Sequence, residues 1–521
     1  MPIDPALRRL ALRTLLAAFP GTTPPGWALD LVGEGLAGHT LFGRNVDHPD
    51  QVAAATAALR DARPDVLVAI DEEGGDVTRL AHATGSPYPG NAALGVVDDP
   101  TLTRRVYHSI GTELRAVGVT VNLAPTVDVN TADDNPIIGT RSFGADPGRV
   151  AAHAGAAVAG LQAAGVAACA KHFPGHGATV ADSHLELPTV DVPVDVLRKR
   201  DLPPFAAVVA ADAKVIMTAH IRVPVLTGDA PATFSRAVLV DLLRTEYGFT
   251  GAVLTDALEM KGAAVAAGGI GPAAVHALAA GADLLCIGAK VDAALVEEVA
   301  AEIVAALRDG RLAVGRVEQA AERAATLAAW TRTAALAAAL PVDATPPAET
   351  TVPVSATVPP GQATSSIPVA PRRAAAPVPD ELGYAAARRA VRVEGALTGL
   401  DRPLVVQLLS AATLAEGRVP WGLGPHLNGT EQLRVVVAEA DAAALRAQAG
   451  DRPIVLVGRR LHQLPGGPAL VESLAGAHPV TVVEMGWPST WRPAGVRAFV
   501  TTYGASHANG RAAAEVLGLT G

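Results

Sequence analysis

Residues 167–177 read Ala-Ala-Cys-Ala-Lys-His-Phe-Pro-Gly-His-Gly, a short apolar run that reaches Lys171 and His172 and then breaks at Pro174, Gly175 and Gly177. An apolar run bounded by turn signals is the pattern of a buried strand. A strand covered on both faces has no room for charge in its middle, so the charge belongs at its C-terminal end. The same construction recurs in HTLFG (39–43), DVLVAID (65–71), VTVNLAPTVD (119–128), KVIMTAHI (214–221), GAVLTDA (251–257) and ADLLCIG (282–288), with helical patterns between. Strands alternating with helices make parallel β/α units. Asp71, Asp128, Lys171 with His172, His220 and Asp256 all fall at strand ends, the face on which a TIM-type (β/α)8 barrel carries its active site. A doubly wound open sheet also alternates its elements. Here no G-x-G-x-x-G follows the first strand, and polar ends spread over most of the domain favour closure.

Working outward, the alanine-rich stretch from about 297 to 340 predicts amphipathic helices that close this first domain, residues 1–340. Residues 341–379 are rich in proline, alanine, threonine and serine without hydrophobic periodicity, and read as a semi-extended linker. Beyond it, PLVVQLL (403–409), IVLVG (454–458), VTVVEMG (480–486) and AFVTTYG (498–504) are strand-like, separated by helical pieces such as DAAALRAQ (441–448) and ANGRAAAEVLG (508–518). Residues 380–521 are therefore expected to form a smaller α/β sandwich of mostly parallel strands. No acid/base candidate appears there that the first domain lacks, although His426, His462 and His507 are available.

Composition bounds the function. The chain has 521 residues, half of them hydrophobic, enough for two domains with large cores. A net charge of −9 with interspersed signs offers no basic stripe for a phosphate backbone, which excludes nucleic acid as the expected partner. Cys169 and Cys286 lie in apolar runs and read as core residues, not a disulfide framework. The opening stretch MPIDPALRRLALRTLLAAF (1–19) reads as a first helix, since Arg13 interrupts the apolar run and no convincing cleavage site follows. No other stretch is apolar enough to span a bilayer, and the expected location is the cytoplasm.

The chemistry concentrates in Lys171 to Gly177 and in Asp182-Ser183-His184. Proline and glycine break any helix, which puts Asp182 and His184 on a loop leaving a strand end. An Asp-x-His spacing lets the carboxylate accept one imidazole N–H and favour the imidazolium, while the other ring nitrogen exchanges a proton with substrate. Histidines and an aspartate also ligate metals, but Lys171 beside His172 argues against an ion there; no metal or cofactor is expected. In GAVLTDA an apolar strand ends in Asp256, where a carboxylate can attack an anomeric carbon. A helix N-cap is the competing explanation. Asp71-Glu72-Glu73-Gly74-Gly75 with Arg79, and Asn135 to Gly144 with Arg141, place charges beside glycine turns. Such groups suit buried sugar hydroxyls, and ion pairs between loops would account for them equally.

Together these motifs resemble glycoside hydrolase family 3, in particular its bacterial exo-β-N-acetylglucosaminidase branch of the NagZ type. The resemblance runs through LFGRN (41–45), DEEGG, PGNAALG (89–95), NLAPTVDVN, NPIIGTRSFG, KHFPGHG, DSH, IMTAHI and TDALEM, and it covers the first domain, with a looser likeness in the second. It implies Asp256 as nucleophile, His184 as acid/base, Asp182 as its partner, and Asp71, Arg79, Arg141, Lys171 and His172 as holders of the terminal sugar. It further implies a covalent glycosyl-enzyme with net retention, and small carbohydrates as substrates: N-acetylglucosamine-terminated muropeptides or chitooligosaccharides. Two positions depart from the family pattern. Asp76 stands where an arginine is usual, a change that could alter sugar contacts, and Thr255-Asp256-Ala257 replaces the common S-D-D. The alternatives are a phosphorylase with phosphate as acceptor, for which Arg222 would be the extra cation, and a catalytically inert glycan-binding protein.

Overall fold

The computed structural model describes residues 4–288, 291–338, 381–409, 413 and 415–520. Eight parallel strands form the first domain: β1 (Leu15–Ala17), β2 (Gly38–Leu41), β3 (Leu67–Ile70), β4 (Val121–Asn122), β5 (Ala167–Phe173), β6 (Val215–Thr218), β7 (Ala252–Thr255) and β8 (Leu285–Ile287). Their order is β7-β6-β5-β4-β3-β2-β1-β8. The two ends meet where Thr255 N–H donates to Leu284 O at 2.9 Å and Leu284 N–H to Val253 O at 3.0 Å, closing the barrel. Every strand residue is buried, as strands covered inside and out require.

Two hydrophobic layers follow from the pleat. Leu16, Leu67, Ala69, Val121, Cys169, Met217, Leu254 and Cys286 pack in one cluster, while the alternate residues Leu15, Val68, Ile70, Ala168, Ile216 and Val253 join the layer shared with the helices. Both cysteines are buried and unpaired, as expected, and burial raises both thiols. Three helices, Pro5–Leu12, Pro100–Ala116 and Pro147–Ala163, start on an Asp-Pro dipeptide. Asp4, Asp99 and Asp146 accept backbone N–H groups of the first turn, and proline supplies a preset φ where no N–H is needed. The alanine-rich stretch forms the expected helices, Ala293–Asp309 and Val314–Ala338. The second is anchored below the barrel by buried Asp283, which pairs with Arg316 at 2.7 Å and Arg323 at 3.1 Å, and with Arg244.

The opening segment differs from the expected single helix. Pro5–Leu12 is helical, but Leu15–Ala17 is β1, paired with β2 and β8. Leu-Leu-Ala has no strand propensity of its own, and only the gap between β2 and β8 gives its backbone groups partners.

The second domain is a six-stranded sheet in the order β11-β10-β12-β13-β14-β9, formed by β9 (Arg392–Gly395), β10 (Leu404–Leu409), β11 (Gln432–Val436), β12 (Ile454–Gly458), β13 (Val480–Glu484) and β14 (Ala498–Thr501). All pairs are parallel except β14 with β9. The edge strands β9 and β11 are partly or fully exposed and lack the continuous apolar run that marks the central four. The stretch read as a linker, 341–379, lies outside the described residues. The domains pack directly. Helix Glu381–Ala390 contributes Ala386 to the barrel's own core cluster, and Gly383 lies so close to Pro87 that a Cβ would sit 2.1 Å from its carbonyl oxygen.

Candidate active site

The strand ends converge on a cavity of ≈ 460 Å³ at the C-terminal mouth, within the range of about 300–1,000 Å³ usual for small-molecule sites. Asp71, Arg79, Arg141, Lys171, His172, His184 and Asp256 all line it. Regular pleating would send Lys171 and His172 to opposite faces. Between Ala170 and Phe173, however, the register of β5 against β6 shifts, so that three steps on β5 match two on β6. A bulge of this kind re-aims side chains, and both residues reach the cavity.

Their charges are held by a buried network. Lys171 Nζ lies 2.8 Å from Asp71 Oδ1 and 2.7 Å from Glu73 Oε1, and Arg141 grips Glu73 through Nε at 2.9 Å and Nη2 at 2.7 Å. Burial alone would raise the Glu73 carboxyl; the charges and hydrogen bonds of Arg141 and Lys171 outweigh it and hold the group far below the usual range. The ion-pair explanation holds for Asp71, Glu73, Arg141 and Lys171, and the same groups line the cavity. Replacing Glu73 by Gln leaves two buried cations short of a partner. It is expected to cost about 3–5 kcal/mol of stability, read as a lowered denaturant midpoint in equilibrium unfolding.

His172 donates through Nδ1 to Asp128 Oδ2 at 2.7 Å, and Asp128 Oδ1 accepts the backbone N–H groups of His172 and His176 at 3.2 and 2.7 Å. Asp128 thereby fixes the ring and leaves its other nitrogen for the cavity. Neither Glu73 nor Asp128 was among the expected sugar contacts. Asp128 was legible only as one more polar strand end, and Glu73 only as part of DEEGG.

The loop after β5 behaves as its spacing predicts. Asp182 Oδ1 lies 2.7 Å from His184 Nδ1 and also accepts the His184 backbone N–H at 2.9 Å. Burial disfavours the His184 imidazolium, but the hydrogen bond to Asp182 and the charges of Asp256 and Asp182 outweigh it, so His184 titrates above its ordinary value. Asp182 is not among the residues lining the cavity; it stands behind His184.

Asp256 leaves the end of β7 and accepts the N–H of Ala257 at 2.7 Å. Burial pushes its carboxyl up, and His220, His172, His184 and the Ala257 N–H together pull it below the ordinary range, so it is ionised. The N-cap explanation is overturned, because the next helix, Lys261–Ala267, has Met260 at its N-cap and no side-chain cap. His220 is fully buried and bridges Thr233 Oγ1 at 2.8 Å and Ala257 O at 3.1 Å. Among the described residues, no group of three or more histidine, cysteine or acidic side chains is placed to hold a metal ion, and no single helix is long and apolar enough to cross a membrane.

Two expectations need correction. Asp76 does not line the cavity. It accepts from Thr140 Oγ1 at 2.7 Å and from Ala505 N–H at 2.8 Å, so this departure serves the seam between the domains and not the sugar. Arg222 does not line the cavity either; it pairs with Asp229 at 3.5 Å and donates to Thr189. The cavity's additional cation is Arg44, which donates to Gly288 O at 2.8 Å.

Comparison with known proteins agrees with this construction. Residues 28–327 match the glycosyl hydrolase family 3 N terminal domain. The beta-hexosaminidase of Pseudomonas aeruginosa is 40% identical over 256 residues, which cover 48% of this chain and 74% of that protein. Beta-hexosaminidase A of Pseudoalteromonas piscicida is 38% identical over 262 residues, 46% of this chain but 44% of that longer protein. Among solved structures, a glycoside hydrolase family 3 beta-N-acetylglucosaminidase from Paenibacillus sp. superposes with a TM-score of 0.83 at 30% identity, covering 99% of this chain and 97% of that one. With a family domain matched over more than half its length and a barrel mouth that gathers an ionised strand-end aspartate and an Asp-His pair, this chain belongs to glycosyl hydrolase family 3.

Proposed function

We propose that the protein is a retaining exo-β-N-acetylglucosaminidase that removes terminal β-linked N-acetylglucosamine through a glycosyl-enzyme on Asp256. The observation that carries this reading is the placement of ionised Asp256 and the Asp182-supported His184 on one cavity. The names of the relatives, beta-hexosaminidase and beta-N-acetylglucosaminidase, support the substrate class.

In the first step the Asp256 carboxylate attacks C1 and the C1–O bond to the aglycone breaks, the departing oxygen taking the His184 proton. In the second, neutral His184 accepts a proton from water as its oxygen attacks C1, and the bond to Asp256 breaks to release the sugar with retained configuration. Asp71, Arg79, Arg141, Lys171 and His172 supply hydrogen-bonding groups for the sugar hydroxyls and acetamide. The physiological substrate in this reading is a cell-wall fragment, N-acetylglucosamine linked to a muramic sugar, met in the cytoplasm during peptidoglycan recycling. Two unpaired buried cysteines are in keeping with that compartment.

The raised titration of His184 sets a pH test. The glycosylation step needs the imidazolium, so the alkaline limb of kcat/KM lies above that of an ordinary histidine. Asp182→Asn removes a carboxylate that raises His184, so its titration falls and the alkaline limb moves to lower pH. A pH profile of kcat/KM that does not move would sink the dyad.

Product analysis separates this function from its rivals. With an aryl N-acetyl-β-glucosaminide in millimolar phosphate, free N-acetylglucosamine is the expected main product. An excess of N-acetylglucosamine 1-phosphate would instead identify a phosphorylase, and no turnover a glycan-binding protein. Water is favoured because it needs the base that His184 supplies, while Arg141 and Lys171 are committed to Glu73 and Asp71 and Arg79 is assigned to the sugar; Arg44, held on Gly288 O, is the cation a phosphate would have to use.

A further inference from the structure

Arg79 differs from the other cations of the cavity in what holds it. Arg141 and Lys171 are paired inside the barrel. Arg79 donates through Nη2 to Ala415 O at 2.9 Å and through Nη1 to Glu416 O at 3.4 Å, both in the second domain. Those carbonyls sit on a turn with its own fastening. The Glu416 N–H donates to Thr413 Oγ1 at 3.2 Å, the Thr413 N–H to Glu416 Oε2 at 3.4 Å, and the Gly417 N–H to Thr413 O at 3.0 Å. Reciprocal bonds across a Thr-x-x-Glu spacing form a capping box, which fixes the direction of the carbonyls. Glu416 is also paired with Arg459 at 3.3 Å, whose guanidinium lies 4.7 Å over the Trp421 ring. The pair is 16% and 11% exposed, so solvent screens it little. Ala415 itself lines the cavity.

We propose that Thr413 and Ala415 to Gly417 of the second domain form a positioning element of the sugar site, aiming the Arg79 guanidinium at the terminal sugar and walling the cavity on that side. The inference rests on the reading of this cavity as the N-acetylglucosamine site. An unrestrained arginine forfeits about 2 kcal/mol of rotamer entropy when it is fixed. The turn fixes Arg79 before substrate arrives, and it does so with neutral carbonyls. Arg79 also lies 3.8 Å from Asp71, beyond a hydrogen bond, so N–H groups remain for sugar oxygens. Glu416 is turned to Arg459 and away from the cavity, so it supplies alignment and no proton. Holding a sugar-binding cation helps the ground state and the transition state alike, so its loss appears in KM and not in kcat.

The test uses the full chain with Thr413→Val combined with Glu416→Leu, which removes both side-chain acceptors of the reciprocal bonds. KM and kcat are measured on an aryl N-acetyl-β-glucosaminide, and Kd for N-acetylglucosamine by calorimetry. KM and Kd are expected to rise about tenfold with kcat held within about threefold, and Thr413→Ser, which keeps the hydroxyl, is expected to behave as the parent. Parental KM and Kd in the double variant, or a kcat that falls as far as kcat/KM, would overturn the proposal. Thr413→Val alone, which preserves the Glu416–Arg459 pair, carries the same test at about threefold if the double variant does not fold. A parent that binds N-acetylglucosamine without turning over the glycoside would refute the hydrolase reading, while Kd would still report on the turn.

Discussion

Asp256→Ala is expected to lower kcat on an aryl N-acetyl-β-glucosaminide on the order of 10⁴-fold or more, about 5 kcal/mol of transition-state stabilisation. The carboxylate is the group that would form the bond to C1, and the other carboxylates among the described residues lining the cavity are committed elsewhere: Asp71 to Lys171, Glu73 to Lys171 and Arg141, and Glu259 to the Gly288 N–H. The fold should survive. Asp256 is buried, but its hydrogen bond is to the N–H of its own neighbour, Ala257. The groups facing it are histidines, which can shed a proton when the negative charge goes. Near-parental activity in a variant with parental thermal unfolding would remove Asp256 from the mechanism.

His184→Ala is the second large effect, and its size should depend on the leaving group. For an unactivated disaccharide the departing oxygen needs a proton, and loss of the acid is expected to cost about 10²–10⁴-fold in kcat/KM. For a nitrophenyl glycoside, whose phenolate departs unaided, kcat/KM should fall far less. Deglycosylation then limits kcat, since water has lost its base. A plot of kcat/KM against leaving-group pKa checks this: a steep slope in the variant and a shallow one in the parent is the expected pair. Equal losses on both substrates would mean that His184 binds the sugar and transfers no proton.

How much of this was legible in the sequence depended on the range of the interaction. The Asp182–His184 pair was readable because both partners lie on one short loop, and the two-residue spacing itself permits the 2.7 Å contact. Seven barrel strands were readable because each is an apolar run closed by turn residues. The eighth, Leu15–Ala17, was hidden in a helix-like stretch, since its strand character comes from its neighbours β2 and β8. In the second domain the four central strands showed the same signal, and the edge strands β9 and β11, exposed on their faces, did not. The members of the ion network were visible as charges, but their pairing spans 100 residues for Lys171 and Asp71. That Lys171 and His172 share a face depends on a register shift that alternation would have forbidden. The hold of Ala415 on Arg79 crosses 336 residues, and no local pattern encodes a contact of that separation.

The central claim is a covalent intermediate on Asp256, and trapping tests it most directly. A 5-fluoro N-acetylglucosaminyl fluoride, whose leaving group departs readily while the fluorine slows hydrolysis, should accumulate the glycosyl-enzyme. Peptide mass spectrometry after acid quench is predicted to find one sugar, on the peptide containing Asp256, and none on the Asp256→Ala protein. Sugar attached to another carboxylate, or unlabelled protein under conditions in which the reagent is consumed, would contradict the account.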